Sequence, residues 1–292
     1  MRRSMLFIPG ANPKQVMFAA TLGSDCVILD LEDAVSPVEK DSARVLVRNL
    51  LATQDYSNVE ICVRVNSLDS PFWEEDLAEI VPQKPQLIMT PKIESEEDVL
   101  VYDSAISKLE SENKIKEGSI KLVPLIETAR GIENCYQAAC ASTRVAALAL
   151  GGEDYTANLQ CRRTPEGNEI DYARKRIVNA ARAASVEVYD TPNTDAHNDQ
   201  SVVGDAAYAK SLGFSGKLAI TPRHVDAINL AFSPSQADVD HAYAVKAALT
   251  EGKKKGLGVV ALNGKMIDKP VEMRALRTIE EAKELGIKPS KK

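Results

Sequence analysis

The chain has 292 residues, of which 44% are hydrophobic and 27% are charged, as is usual for a globular enzyme. This composition excludes a mostly disordered chain, a collagen-like repeat and a disulfide-dense scaffold. With 36 Lys and Arg against 42 Asp and Glu, the net charge is −6, so we expect neither nucleic acid nor a membrane as a partner.

Eight short apolar runs recur along the chain. Each is rich in Val, Ile and Leu and is bounded by Gly, Pro, Asp or Asn, which is typical of parallel strands covered on both faces. The runs are Met5–Ile8, Cys26–Leu31, Ile61–Val65, Leu87–Thr90, Leu122–Ile126, Val145–Leu150, Glu187–Tyr189 and Lys217–Ile220.

The segments between these runs have helical patterns. Helices are predicted at Asp41–Leu51, Ser95–Glu112, Glu166–Ser185 and Asp199–Leu212, and the last is followed by Gly213, which suits a left-handed C-cap. Strands that alternate with helices predict an α/β protein with a parallel sheet, and eight such units predict a closed (β/α)8 TIM barrel. The alternative is an open doubly wound sheet. Its phosphate-binding glycine pattern is missing after the first strand.

The chain continues beyond the eighth unit. A helix at Ser235–Lys255, a strand at Gly258–Leu262, a turn at Asn263-Gly264 and a helix at Met266–Lys283 are predicted. We therefore expect a barrel domain at 1–234 and a C-terminal helix-hairpin-helix extension at 235–292. Such an extension often packs on a neighbouring subunit, where it can contribute to the oligomer and to the neighbour's active site.

Cysteine and histidine usage indicates a reduced compartment without a zinc site. The five cysteines form no C-x-x-C pair, and the three histidines have no ligand-like spacing. No run approaches the roughly 20 apolar residues of a membrane helix. The first apolar run ends at Pro9-Gly10, too soon for the core of a signal peptide. The expected location is the cytoplasm.

Polar residues follow five successive predicted strands, from the second to the sixth. In a barrel, the C-terminal strand ends carry the catalytic side chains. The segments are Asp30–Asp33, Arg64–Asn66, Pro91-Lys92, Glu127-Thr128 and Gly151–Asp154. Asp33 and Glu153 are interpreted as a loop charge and a helix cap.

Glu127 and Asp154 each follow a clean apolar strand. Carboxylates without a His or Cys cluster suit a hard divalent ion, Mg²⁺ or alternatively Mn²⁺. Arg64 can bind a substrate carboxylate through two parallel hydrogen bonds. A metal ion beside an arginine predicts a site for a 2-keto or 2-hydroxy acid, in which the metal stabilises a developing oxyanion.

Motifs in order along the chain resemble the citrate lyase β-subunit family, within the wider group of Mg²⁺-dependent malyl-CoA and citramalyl-CoA lyases. The resemblance covers essentially the whole chain. Its motifs are Arg3–Gly10, Ile28–Val35, Arg64–Asn66, Pro91-Lys92, Ile126-Glu127, Gly151–Tyr155, Arg162–Gly167, Asp240–Ala242, Gly256–Val260 and Asn263–Asp268. Two departures are Thr90, where Leu is frequent, and Gly152, where Ala is common.

The resemblance implies a citryl-thioester lyase. Such an enzyme cleaves citryl-ACP or citryl-CoA to oxaloacetate and an acetyl thioester by a retro-Claisen reaction. The resemblance also implies a barrel with a swapped C-terminal segment, Mg²⁺ held by Glu127 and Asp154, substrate contacts from Arg64 and Glu127, and Glu32 near the keto acid. The implied partners are a transferase α subunit, an acyl-carrier γ subunit with its prosthetic group, and further copies of the chain in a trimer-based homo-oligomer.

Two further residues are catalytic candidates. Asp268 is the candidate proton-transfer group, because the matching Asp of related lyases reaches the adjacent subunit's site. Its alternative role is the N-cap of the last helix, since Lys269-Pro270 follow. Lys92 is expected to steer anionic substrate, or alternatively to form a salt bridge with Glu32.

Two other functions stay open from the sequence. One is a stand-alone citramalyl-CoA or malyl-CoA lyase with the same fold. The other is a non-catalytic scaffold subunit. A broken metal pair would indicate such a scaffold, whereas this chain keeps both Glu127 and Asp154.

Overall fold

The computed structural model describes residues 1–254, 259–262 and 264–290. It divides into two compact units, residues 2–229 and residues 230–292 with Met1. The first contains the predicted strands and the second contains the C-terminal helices and hairpin.

Residues 2–229 form a closed barrel of eight parallel strands in chain order, in which the eighth strand pairs with the first. The predicted (β/α)8 TIM barrel is thereby confirmed, and the open doubly wound sheet is wrong. The strands are β1 Ser4–Pro9, β2 Cys26–Asp30, β3 Glu60–Arg64, β4 Leu87–Thr90, β5 Lys121–Ile126, β6 Ala147–Leu150, β7 Glu187–Asp190 and β8 Gly216–Ala219.

Helices follow each of these strands along the chain. They are α1 Pro13–Phe18, α2 Lys40–Thr53, α3 Trp73–Ile80, α4 Glu96–Glu112, α5 Ala129–Cys140, α6 Gly152–Asn158, α7 Asp171–Ala183, α8 Asp199–Leu212 and α9 Val225–Phe232. Ser95 caps α4, and Gly213 ends α8 with a φ of 103°. The prediction that α7 begins at Glu166 is wrong. Gly167 has a left-handed φ of 67°, and a short 3-10 turn at Asn168–Ile170 precedes the helix.

The inside of the barrel is filled by alternate residues of the strands, because successive side chains of a strand point to opposite faces. Large and small apolar side chains both contribute to this core, and Tyr189 is its one aromatic residue that is fully buried. The inward residues are Met5, Cys26, Ile28, Cys62, Leu87, Met89, Val123, Leu125, Ala147, Ala149, Tyr189 and Leu218.

The C-terminal unit has its own small core. It contains α10 Gln236–Lys254, an antiparallel hairpin of β9 Val260–Leu262 and β10 Lys265–Ile267, and α11 Lys269–Glu284. The prediction that the last helix begins at Met266 is wrong, since Met266 lies in β10 and the Asp268 side chain caps α11. Lys255, Gly258 and Asn263, which belong to the predicted helix, strand and turn, lie outside the described residues.

All five cysteines are free thiols; Cys140 and Cys161 are exposed and the others are buried. Within the three described ranges, no helix has both the length and the apolar character that crossing a membrane requires.

Candidate active site at the carboxyl ends of the strands

A cavity of about 410 Å³ opens at the carboxyl ends of the barrel strands. In a strand, the residue two positions after an inward residue also points inward. Beyond the last inward core residues of β2, β3, β5, β6 and β7, these positions are Asp30, Arg64, Glu127, Gly151 and Thr191. All five line the cavity. The alternation that fills the core therefore also delivers the polar side chains of the site. Apolar residues, including Phe7 and Ile220, also line the wall.

Arg64 is buried and held on several sides. Its Nε and Nη2 donate to the two carboxylate oxygens of Asp30 at 2.8 and 2.6 Å. Its Nη1 lies 3.0 Å from Glu32 Oε2, and its guanidinium lies 4.8 Å from the ring centroid of Phe7. The two parallel hydrogen bonds expected for a substrate carboxylate are made to Asp30 at this edge. The N–H groups that remain for a contact with substrate are the two of Nη1 and the second one of Nη2.

Glu32 is a buried carboxylate without a complete set of partners. Neither of its oxygens accepts a hydrogen bond from the residues that the structure describes. The nearest charges are Arg64 and Lys92, whose Nζ lies 3.7 Å from Oε1. Burial, opposed by Arg64, raises the pKa of Glu32 to about 7. A buried acceptor of this kind has the capacity to bind a ligand's donor.

Glu127 lies at the end of β5 and is only 2% exposed. Burial and the nearby carboxylates of Glu32 and Asp154 raise its pKa well above the usual range. Its Oε1 accepts the backbone N–H of Lys92 at 2.8 Å. A Cβ at Gly151 would lie 2.4 Å from Oε2, so only glycine fits beside this carboxylate.

Lys92 has a left-handed backbone with a φ of 53°. A non-glycine residue rarely adopts this conformation, which costs of order 1 kcal/mol or more and is often found at functional sites. The conformation directs the Lys92 amide at Glu127. The ammonium group is partly exposed beside Glu32.

Asp154 lies in the first turn of α6 and lines the same cavity. Its carboxylate makes no hydrogen bond or ion pair within the described part of the chain. Glu127 and Asp154 repel each other, and a divalent cation would relieve that repulsion. Across the described ranges, no group of three or more His, Cys, Asp or Glu residues could hold a metal ion. Two hard oxygen donors fit Mg²⁺, which commonly binds one or two carboxylates and completes its shell with water and substrate.

A family model described as HpcH/HpaI aldolase/citrate lyase matches residues 3–222. The chain belongs to this family.

Individual proteins resemble the chain over nearly its full length. Citrate lyase subunit beta of Haemophilus influenzae is 43% identical over 97% of this chain and 97% of that protein. The mitochondrial citramalyl-CoA lyase of Homo sapiens is 31% identical over 95% of this chain and 84% of that protein. The crystal structure of protein CitE from Mycobacterium tuberculosis in complex with magnesium, acetoacetate and coenzyme A superposes with a TM-score of 0.78. It has 26% identity and covers 97% of this chain and 98% of that chain.

The barrel brings together five of the six site residues that the sequence predicted. Glu32, Arg64, Lys92, Glu127 and Asp154 are joined by direct contacts, electrostatic interactions or the shared cavity. The sixth, Asp268, belongs to the C-terminal unit. There its Oδ1 accepts the N–H of Val271 at 3.2 Å, as an N-cap of α11 does.

Two cavity residues of the barrel received no individual role from the sequence. Asp30 fixes Arg64, and Thr191 contacts the first turn of α6, which carries Asp154. The strand register identifies the role of Asp30, because Asp30 of β2 pairs directly with Arg64 of β3. The signal for Thr191 lay in the alternation of inward residues, since Tyr189 is inward.

Proposed function

We propose that this chain is a carbon-carbon lyase that cleaves citryl-ACP or citryl-CoA to oxaloacetate and an acetyl thioester. The observation that carries the proposal is the cavity in which Arg64, Glu127 and Asp154 converge. The 43% identity to citrate lyase subunit beta over almost the whole chain supports it.

Glu127 and Asp154 are the proposed ligands of Mg²⁺, or alternatively of Mn²⁺. The CitE complex with magnesium supports this choice. When bound, the ion supplies positive charge where the substrate hydroxyl oxygen gains negative charge as it becomes the keto oxygen. The hydrogen bond from the Lys92 amide and the close packing of Gly151 fix the position of the Glu127 carboxylate.

The other residues orient the citryl group. The Nη1 of Arg64 is proposed to bind a substrate carboxylate while Asp30 fixes the guanidinium plane. One of the two unsatisfied oxygens of Glu32 is proposed to accept a hydrogen bond from the substrate hydroxyl. Lys92 Nζ is proposed to neutralise the anionic substrate in the same region.

The reaction itself is a retro-Claisen cleavage. The hydroxyl proton leaves to a base, the oxygen electrons form the ketone, and the central carbon–carbon bond breaks. The bond's electron pair becomes the enolate of the acetyl thioester, which then takes a proton on carbon. We propose Asp268 for proton transfer, at the site of a neighbouring subunit.

Residues 235–292 are accordingly proposed as a C-terminal extension that serves the oligomer. An Asp268→Asn chain mixed with an Asp154→Asn chain should recover activity, because some interfaces would pair an intact metal site with an intact Asp268. Asn is as good an N-cap as Asp, so the substitution tests proton transfer without removing the cap of α11. Verified mixed oligomers without recovery would contradict the shared site.

The same proposal includes partners and location. A transferase α subunit and an acyl-carrier γ subunit with its prosthetic group are the proposed partners of a trimer-based homo-oligomer. The Haemophilus influenzae relative is a subunit beta, which supports a complex of several subunits. The five free thiols support a cytoplasmic location.

Oxaloacetate release from citryl-CoA, measured with malate dehydrogenase and NADH, tests the reaction. Citramalyl-CoA and malyl-CoA in parallel assays test the second candidate function, which the 31% identity to a citramalyl-CoA lyase favours. We expect citryl-CoA to have the highest kcat/KM. A higher value for either alternative substrate would replace the proposed one.

A further inference from the structure

The end of β7 contacts the first turn of α6, which carries Asp154. Thr191 is 1% exposed, and its Oγ1 accepts the N–H of Gly152 at 2.9 Å. Gly152 is the first residue of α6, and its N-cap residue provides no side-chain hydrogen bond. Amides in the first turn of a helix need partners from outside the helix. Thr191 therefore caps α6 from a neighbouring strand.

The approach between these two residues is close. A Cβ at Gly152 would lie 2.7 Å from Thr191 Oγ1. A shift of Thr191 would thus be transmitted to the backbone two residues before Asp154.

Thr191 is itself firmly held. Its carbonyl oxygen accepts a hydrogen bond from Lys217 Nζ at 2.6 Å. Lys217 is fully buried and also lies 2.5 Å from Asp190 Oδ2 and 2.8 Å from Asp205 Oδ2. The position of Thr191 is therefore set by Lys217 and does not depend on α6.

The N-terminus of α6 is held on its other side by β5. The N–H of Gly151 donates to the carbonyl of Ile126 at 3.0 Å, and Gly151 packs directly on the Glu127 carboxylate. The spacing between Glu127 and Asp154 is thus fixed from β5 through Gly151 and from β7 through Gly152.

We infer that Thr191 is a positioning residue that holds Asp154 at the spacing from Glu127 needed to share one divalent cation. The inference rests on the proposed metal pair. Residues that orient metal ligands typically change metal affinity by roughly 10- to 100-fold when they are removed.

The test is Mn²⁺ binding to the full-length protein, followed by the EPR signal of free Mn²⁺. Thr191→Val removes the acceptor at nearly constant shape, and we expect at least about tenfold weaker binding. Thr191→Ser keeps the hydroxyl, and we expect binding within about twofold of the parent. Thr191→Ala, which adds no bulk, gives the same comparison if the valine variant does not fold.

Thr90→Val is the matched control. Thr90 is also buried at the end of a strand, but its hydroxyl has no hydrogen-bond partner among the described residues. We expect Mn²⁺ affinity to stay unchanged in this variant. Circular dichroism melting of each variant separates loss of metal affinity from loss of fold.

The Asp154→Asn variant distinguishes failure of the Thr191 positioning role from failure of the proposed metal pair. If Asp154→Asn weakens Mn²⁺ binding but Thr191→Val does not, the positioning role is overturned and the metal pair stands. If Thr191→Ser binds as weakly as Thr191→Val, the hydroxyl is not the cause and the inference fails. If Asp154→Asn binds Mn²⁺ like the parent, the proposed metal pair fails first.

Discussion

Two groups of charged residues in the barrel unit differ in how completely their charges are paired. The mouth cluster, Asp30, Glu32, Arg64 and Glu127, places three carboxylates around one buried cation. The wall cluster, Arg174, Asp190, Asp205 and Lys217, pairs two cations with two carboxylates. In the wall cluster every charged group has a partner of opposite charge within 3 Å. In the mouth cluster both oxygens of Glu32 lack a hydrogen bond from the described residues.

The pKa of Asp205 in the wall cluster and the pKa values of Glu32 and Glu127 in the mouth cluster shift in opposite directions. Burial opposes the shift of Asp205, but Lys217 and Arg174 lower its pKa to about 2. Burial raises the pKa of Glu32 to about 7 and that of Glu127 well above its usual range. An ion-pair network that is already neutral serves structure. An excess of buried carboxylates in a cavity indicates a place for a cation or a donor that arrives with the ligand.

The largest expected effect comes from the metal pair. Glu127→Gln and Asp154→Asn remove ligand charge with little change of shape, so turnover should fall by about a thousandfold or more, since a metal ion contributes several kcal/mol to the transition state. Thermal stability should not fall, because the change removes mutual repulsion. Steady-state kinetics at limiting Mg²⁺ measures the effect.

Glu153→Gln is the matched control for the metal pair, since Glu153 lines the same cavity but is exposed and pairs with Arg163. We expect its turnover to stay near normal. Near-normal turnover in Glu127→Gln or Asp154→Asn as well would contradict the proposed metal pair.

The wall cluster should respond to a substitution in stability. Lys217→Met leaves Asp190 and Asp205 with too little positive charge in a buried place, which should lower the free energy of unfolding by about 3 kcal/mol. Urea denaturation measures this change. Lys175→Met is the control, because the exposed pair of Lys175 and Asp171 should contribute less than about 1 kcal/mol. Equal effects of the two changes would contradict the structural role of the wall cluster.

Arg64→Lys tests the cation of the mouth cluster. Lysine is a point charge and cannot keep the two parallel hydrogen bonds to Asp30. We expect kcat/KM to fall by about 10- to 100-fold, as loss of hydrogen bonds to a charged group of about 1.5–3 kcal/mol implies. Calorimetry should show weaker oxaloacetate binding. Unchanged product affinity would assign the substrate carboxylate to another residue.

The wall cluster also predicts a pH dependence of stability. Because the folded-state pKa of Asp205 is lowered to about 2 from 3.8, its contribution is fully present above about pH 4 and is lost as the pH falls towards 2. The contribution is about 2 kcal/mol at most. Asp205→Asn should therefore lower stability at pH 7 and flatten the loss of stability below pH 4 in urea titrations. If the free energy of unfolding of the variant falls below pH 4 as steeply as that of the parent, Asp205 is not the titrating group.

The smallest effect concerns a buried hydroxyl that belongs to neither cluster. Thr90 Oγ1 has no hydrogen-bond partner within the described residues. Thr90→Val removes this unsatisfied group, and we expect the free energy of unfolding to rise by up to about 1 kcal/mol. A clear loss of stability would mean that the hydroxyl has a partner, such as water.

The sequence predicted the barrel well, because buried parallel strands are continuous apolar runs whose ends are polar. It placed the starts of α7 and α11 wrongly, since the left-handed backbone at Gly167 and the cap at Asp268 decide those boundaries locally. The strand ends also revealed five residues of the candidate site. The pairing of Arg64 with Asp30 could not be read without the strand register. The unsatisfied oxygens of Glu32 depend on packing from several strands.

The left-handed backbone of Lys92 has a consequence for how this site tolerates inherited change. The group that holds Glu127 is the Lys92 main-chain amide, and that amide is encoded by every amino acid except proline. Side-chain substitutions at this position can therefore alter the charge near Glu32 while the carboxylate of Glu127 keeps its anchor. Glycine would also release the conformational strain. Variation at residue 92 can thus tune which anions the cavity accepts without dismantling the site.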